Sequence, residues 1–109
     1  MPSMDRFEAL GDPTRRQIVE LLAAGERTAG EVAGAFAISR PAVSRHLRVL
    51  RESGLASSRS DAQRRVYRLE PEPMADMEAW LARYRSAWTE RLDRLERHVR
   101  SRTQTGEGR

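Results

Sequence analysis

Residues 38–68 hold eight arginines (Arg40, Arg45, Arg48, Arg51, Arg59, Arg64, Arg65 and Arg68) against two acids, Glu52 and Asp61, a net +6. The rest of the chain holds 12 arginines and 14 acids, a net −2. A guanidinium is a planar fork that donates two parallel hydrogen bonds, a match for phosphate oxygens and for the exposed edge of guanine. A positive patch beside a net-negative remainder is better explained by a polyanion partner than by general solubility. A membrane surface fits less well, because the segment has no amphipathic face of large exposed apolar residues. The chain contains no lysine. Base composition alone can produce that, so the argument rests on where the arginines fall.

Other chemistry is poorly supported. There is no glycine-rich phosphate loop, no nucleophile paired with a base and no cluster of metal ligands, so the chain is expected not to be an enzyme and to carry no cofactor. The absence of cysteine excludes disulfides and thiolate metal sites. Of the two histidines, His46 flanks an apolar stripe and suits packing or a nucleic-acid contact better than metal. His98, near Asp93 and Glu96, would need ligands pooled from two copies of the chain. Asp93 and Glu96 share a helix face with arginines and are better read as ion-pair partners.

The elements that must position the arginines are legible from caps and spacing. A length of 109 residues suits one domain. Met4, Phe7 and Leu10 predict a short first helix, closed by Gly11. Asp12-Pro13 is an N-cap followed by proline at the first helical position. Ile18, Val19, Leu21 and Leu22 follow as an apolar face that stops at Gly25. Thr28-Ala29-Gly30-Glu31 is a capping box for a third helix with Val32, Ala35 and Phe36 inward. Ser39 caps a fourth helix that tolerates Pro41 in its first turn. Val43, Leu47 and Leu50 form its buried stripe, and the opposite face carries Arg40, Pro41, Ser44, Arg45 and Arg48. Gly54 stops that helix and Leu55 packs back.

Helical periodicity disappears over residues 56–70. Arg65-Val66-Tyr67-Arg68-Leu69 is rich in β-formers, and Ser60-Asp61-Ala62-Gln63 supplies a turn, so the segment reads as a two-stranded hairpin. Pro71 and Pro73 then break the chain. Met77, Leu81, Tyr84, Trp88, Leu92, Leu95 and Val99 recur at spacings of four, three, four, four, three and four, which predicts a helix over residues 74–100, roughly 40 Å long at 1.5 Å per residue. Residues 1–100 are expected to form one domain and 101–109, without an apolar residue, a disordered tail. No apolar run is long enough to span a membrane. The start, Met1-Pro2-Ser3-Met4-Asp5, shows no signal-peptide pattern, so a cytoplasmic location is expected.

The overall pattern is mostly α with a small β element: two short helices, a tight link and a basic hairpin, the outline of a winged helix-turn-helix. Four blocks sharpen it. Ala9-Leu10-Gly11-Asp12-Pro13-Thr14-Arg15-Arg16, the run from Ser39 through Leu50, Ser53-Gly54-Leu55, and Arg64-Arg65-Val66-Tyr67-Arg68-Leu69 together resemble the ArsR family of bacterial transcription repressors, in the right order over residues 7–69. The resemblance implies a dimeric repressor of double-stranded DNA with a long C-terminal dimerisation helix. It also implies DNA contacts from the first turns of the recognition helix. The expected DNA-binding set is Ser39, Arg40, Pro41, Ser44, Arg45 and Arg48, with Arg64 and Arg65 on the wing; Arg59 is a weaker candidate.

The expected homodimer interface is Met4 and Phe7 from the first helix with Met77, Leu81, Tyr84, Trp88 and Leu92, because two tryptophans left in water would waste apolar surface. Many family members sense metals through cysteines in the third helix, or through His and Asp in the last. Here the third helix offers only Glu31, so the chain resembles the metal-independent branch, and no inducing ligand is indicated. Family wings usually carry glycine at the tip, whereas Asp61-Ala62-Gln63 has none. Two competing readings remain at this point: a non-specific or architectural DNA protein, and a protein–protein adaptor on a helix-turn-helix scaffold.

Overall fold

The computed structural model describes residues 5–107, with side chains through Thr103. The elements run α1 (Arg6–Ala9), α2 (Pro13–Ala24), β1 (Arg27–Thr28), α3 (Ala29–Ala35), α4 (Arg40–Glu52), β2 (Ala56–Asp61), β3 (Arg64–Leu69) and α5 (Pro71–Glu107). They form two compact units that divide between Met74 and Ala75.

Each helix of the first unit starts where a side chain can satisfy an orphan backbone N–H. Asp12 accepts from the N–H groups of Thr14 and Arg15 at 2.8 and 3.1 Å, with Pro13 at a position whose missing N–H costs nothing. Burial pushes the Asp12 carboxyl up, but those hydrogen bonds and the charges of Arg15 and His46 more than offset it, and the net shift is downward. A depressed carboxylate stabilises the fold above its unfolded pKa, and that stability is lost as pH falls through the folded value. Asp12→Ala is therefore expected to cost about 1 kcal/mol near neutrality. The gap to wild type should close as pH falls below roughly 3.9. Thermal melts at pH 7, 5 and 3 check this; a gap that persists unchanged at pH 3 would reject it.

Thr28 and Glu31 form a reciprocal capping box: the Thr28 N–H donates to Glu31 Oε1 at 2.9 Å and the Glu31 N–H to Thr28 Oγ1 at 3.1 Å. Ser39 accepts from the Ala42 N–H at 3.3 Å. At the far end of α4, Gly54 adopts φ +84°, the left-handed conformation that glycine enters without steric cost. Its N–H donates to the Arg51 carbonyl at 3.1 Å and the Leu55 N–H to the Leu50 carbonyl at 3.0 Å, a Schellman closure. The Leu55 carbonyl then accepts from the Glu70 N–H at 2.8 Å. The end of α4, the start of β2 and the chain leaving β3 thus meet at a side chain with no exposure.

The core of this unit is Ala9, Ile18, Val19, Leu22, Val32, Val43, Leu47, Leu50, Leu55, Ala56, Val66 and Tyr67. The stripe read along the recognition helix is the buried one: Val43, Leu47 and Leu50 have no exposed surface. In α3 the expectation is corrected in part. Val32 is buried and Phe36 half-buried, but Ala35 faces solvent, because a seven-residue helix presents too few turns for a continuous stripe.

The sheet has three antiparallel strands in the order β1-β3-β2, not the two expected. β1 pairs Arg27 with Tyr67 and Thr28 with Val66. Two residues carry no period, so sequence patterning could not reveal it. β2 and β3 pair from Ala56 opposite Leu69 to Asp61 opposite Arg64, a hairpin closed by Ala62-Gln63. Ala62 has φ +57°, at the turn position where glycine is usual. The tip closes tightly without the glycine, and Ala62 takes the backbone strain instead.

The second unit lies in α5, which runs from Pro71 to Glu107 rather than over residues 74–100. Pro71 and Pro73 sit in the first turn, where N–H groups have no helical acceptor, so they start the helix instead of breaking it. Past Arg100 the expected disordered tail gives way to helix through Glu107; no glycine or proline interrupts the chain before Gly106, and residues 108–109 lie outside the described part. Of the seven stripe residues, Met77 is buried and Leu81, Tyr84, Trp88, Leu92, Leu95 and Val99 are exposed. No described helix is long and apolar enough to cross a membrane.

Candidate nucleic-acid interface

Ser39, Arg40, Pro41, Ser44, Arg45, Arg48, Arg64 and Arg65 are all exposed. Their placement within the surface is uneven. At 100° per residue, Arg45 lies about 165° around α4 from the mean direction of Val43, Leu47 and Leu50, Pro41 about 155° and Arg48 about 135°. Ser44 stands about 95° away and Arg40 only about 55°. Arg40 is therefore on the flank of the helix, not opposite the stripe, which corrects the sequence expectation. The guanidinium groups of Arg40, Arg45, Arg48 and Arg65 have no protein partner among the described residues.

Other arginines are engaged. Arg59 donates to Glu26 at 2.9 Å. That hydrogen bond and the Arg59 charge hold the Glu26 carboxyl below its ordinary range. Arg59, a weak candidate in sequence, thus braces β2 against the segment before β1. Arg64 stands 3.8 Å from Asp61 and Arg68 3.6 Å from Glu70. Arg15 donates through Nε to the Ala9 carbonyl at 2.7 Å and lies 3.3 Å from Nδ1 of His46. His46 is held by α2 from behind and has a structural role.

The wing tip, the start of α4 and the start of α3 enclose a cleft of about 390 Å³ lined by Arg40, Arg64, Arg65, Gln63, Thr28 and Gly30. The sequence reading singled out its arginines separately and missed that they line one cleft. Nor did it find Thr28, Gly30 and Gln63 as a wall; the capping box marked two of these positions, but nothing local places them beside Arg40. Among the described residues no group of three His, Asp or Glu side chains could hold a metal ion.

Residues 12–58 match the family described as bacterial regulatory protein, arsR family. The chain is 46% identical over 91 residues to an HTH-type transcriptional regulator of Mycobacterium tuberculosis, covering 83% of this chain and 82% of the relative. The chain belongs to the ArsR family. A second relative is the transcriptional repressor SdpR of Bacillus subtilis, 37% identical over 72% of this chain and 87% of that protein. Among solved structures, the homodimeric winged helix-turn-helix DNA-binding domain of a possible ArsR-family regulator from Mycobacterium bovis superposes with a TM-score of 0.59 at 32% identity. That match covers 72% of each chain. The ArsR assignment makes this a winged helix-turn-helix transcription regulator: α3 and α4 are the helix-turn-helix, and β2 and β3 the wing.

Proposed function

We propose that the protein is a dimeric transcription repressor that binds an inverted-repeat DNA operator, with residues 1–100 acting as one DNA-binding and dimerisation body. The observation that carries this reading is the unpartnered outer face of α4. A helix whose inner stripe is fully buried presents Arg45 and Arg48 outward with Pro41 and Ser44, and no group among the described residues occupies either guanidinium. Such a helix fits a major groove about 12 Å wide. Two paired protomers would present their recognition helices to successive major grooves, one helical turn of DNA or roughly 34 Å apart, with α5 and α1 as the proposed contact. Phe7, Leu81, Tyr84, Trp88 and Leu92 are exposed in the protomer, in keeping with that role. Met77 is buried in the protomer and drops out of the proposed contact, and Met4 lies outside the described residues.

Homology supports repression over activation, through the Bacillus subtilis relative. An architectural DNA protein is the second reading, because the net +6 of residues 38–68 binds any duplex. Selection of bound sites from a random-sequence duplex library separates the two. The expected result is a short inverted repeat bound at least 10³-fold more tightly than bulk DNA. Arg45→Ala is expected to weaken binding to that repeat by roughly 5- to 150-fold, the range for one bidentate base contact, and to relax its sequence preference. Recovery of no preferred sequence would leave the architectural reading standing.

A further inference from the structure

We propose that the cleft between α3, the first turn of α4 and the wing tip seats one phosphodiester of the DNA backbone. Arg40 would then fix the register of the protein on the duplex without reading a base. The inference rests on the DNA-binding reading above and divides its arginines into two jobs. Three arginines from two elements line the cleft: Arg40 from α4, and Arg64 and Arg65 from the start of β3. Arg40 and Arg65 bring uncompensated charge, and the cleft wall contains no carboxylate. Two acids stand close by, and both offset part of the charge of Arg64 rather than that of Arg40 or Arg65. Glu31 accepts from the Thr28 N–H in the capping box, and Asp61 stands 3.8 Å from Arg64.

The direction of Arg40 decides its role. Its Nη1 lies 3.5 Å from the position a Cβ on Gly30 would occupy. The guanidinium therefore lies over the bare backbone at the start of α3. A Cβ at residue 30 would meet it at ordinary van der Waals distance. Combined with its place on the flank of α4, this turns Arg40 away from the face that carries Arg45 and Arg48. A groove-reading helix meets base edges with its outer face and phosphates with its flanks. A tetrahedral anion with two exposed oxygens, bridged to a sugar on either side, fits a half-open cleft that the Arg40 guanidinium borders and that Arg64 and Arg65 help to line. Gln63 adds a neutral donor at the tip.

The test uses the full chain, a random-sequence duplex of 30 base pairs and the duplex recovered by selection. Arg40→Ala is expected to weaken binding to both by the same factor, and to lower the slope of log affinity against log salt by about 0.9. The ratio of the two affinities should stay unchanged. Arg40→Lys should restore most of the loss, because a phosphate accepts a point charge where a guanine edge requires the fork. Arg45→Ala provides the contrast, losing the ratio with little change on random duplex. The proposal is overturned if Arg40→Ala collapses the ratio, leaves the salt slope unaltered, or is not rescued by lysine. A wild-type protein that binds random duplex but selects no sequence leaves the phosphate seat measurable on the random duplex alone. Failure of the wild type to bind either duplex overturns both this inference and the reading beneath it.

Discussion

Trp88→Asp combined with Leu92→Asp is expected to leave a folded protomer that no longer pairs. Both side chains are more than half exposed, at 57% and 59%, so little of the protomer's own packing depends on them. They sit in a file of large apolar residues, from Leu81 at 51% to Val99 at 53%, along one side of a 37-residue helix. The Arg91 guanidinium stacks 5.4 Å above the Trp88 ring, and the Trp80 and Tyr84 rings lie 4.5 Å apart, so the aromatics are held in place. An aligned apolar surface of this length favours association through the area it removes from water. Two carboxylates in its middle would have to be desolvated without partners. Sedimentation velocity should show the mass halved. Affinity for the selected inverted repeat should fall by on the order of 10²–10⁴-fold, because the second half-site is no longer engaged at high effective concentration. A double variant that still sediments as a pair would reject α5 as the interface.

The second large effect is on stability. Leu47 is fully buried at the centre of the α4 stripe, between Val43 and Leu50, which are buried as well. Leu47→Ala is expected to cost about 3 kcal/mol, within the usual 2–5 for a buried leucine. A domain of this size has only about 5–15 kcal/mol in total. The melting temperature should drop by roughly 12–24 °C. Arg48→Ala, one residue along on the exposed side, is expected to change stability by less than about 0.5 kcal/mol. Circular-dichroism melts of the two variants form the comparison. Equal effects would mean that the two faces of α4 have been assigned the wrong way round.

How much of this was legible in the sequence depends on how local the signal was. The caps at Asp12, Thr28 and Ser39 and the stop at Gly54 were readable because each is a contact within about one turn of its own residue. The stripe of Val43, Leu47 and Leu50 was readable because a 13-residue helix repeats its period often enough. β1 was missed because it is an accessory of β3, made by pairing and not by pattern. Pro71 and Pro73 misled because proline ends a helix only from the inside. At the interface, the residue types were visible but their grouping was not. Arg40 and Arg45 look equivalent in sequence, and only the helical angle and the nearness of Gly30 separate them. Arg59 looked available until Glu26, 33 residues away, proved to hold it.

Leu55 ties three segments at one point, and that knot restricts how the molecule can respond to a signal. Because the reading helix ends there and both wing strands begin and finish beside it, the two grips on DNA are cast as a single rigid jaw. The Glu70-to-Leu55 hydrogen bond fastens the base of the wing beside a leucine with no exposed surface. A displacement of the reading helix would therefore be handed on to the root of the hairpin, as a key turns its bolt.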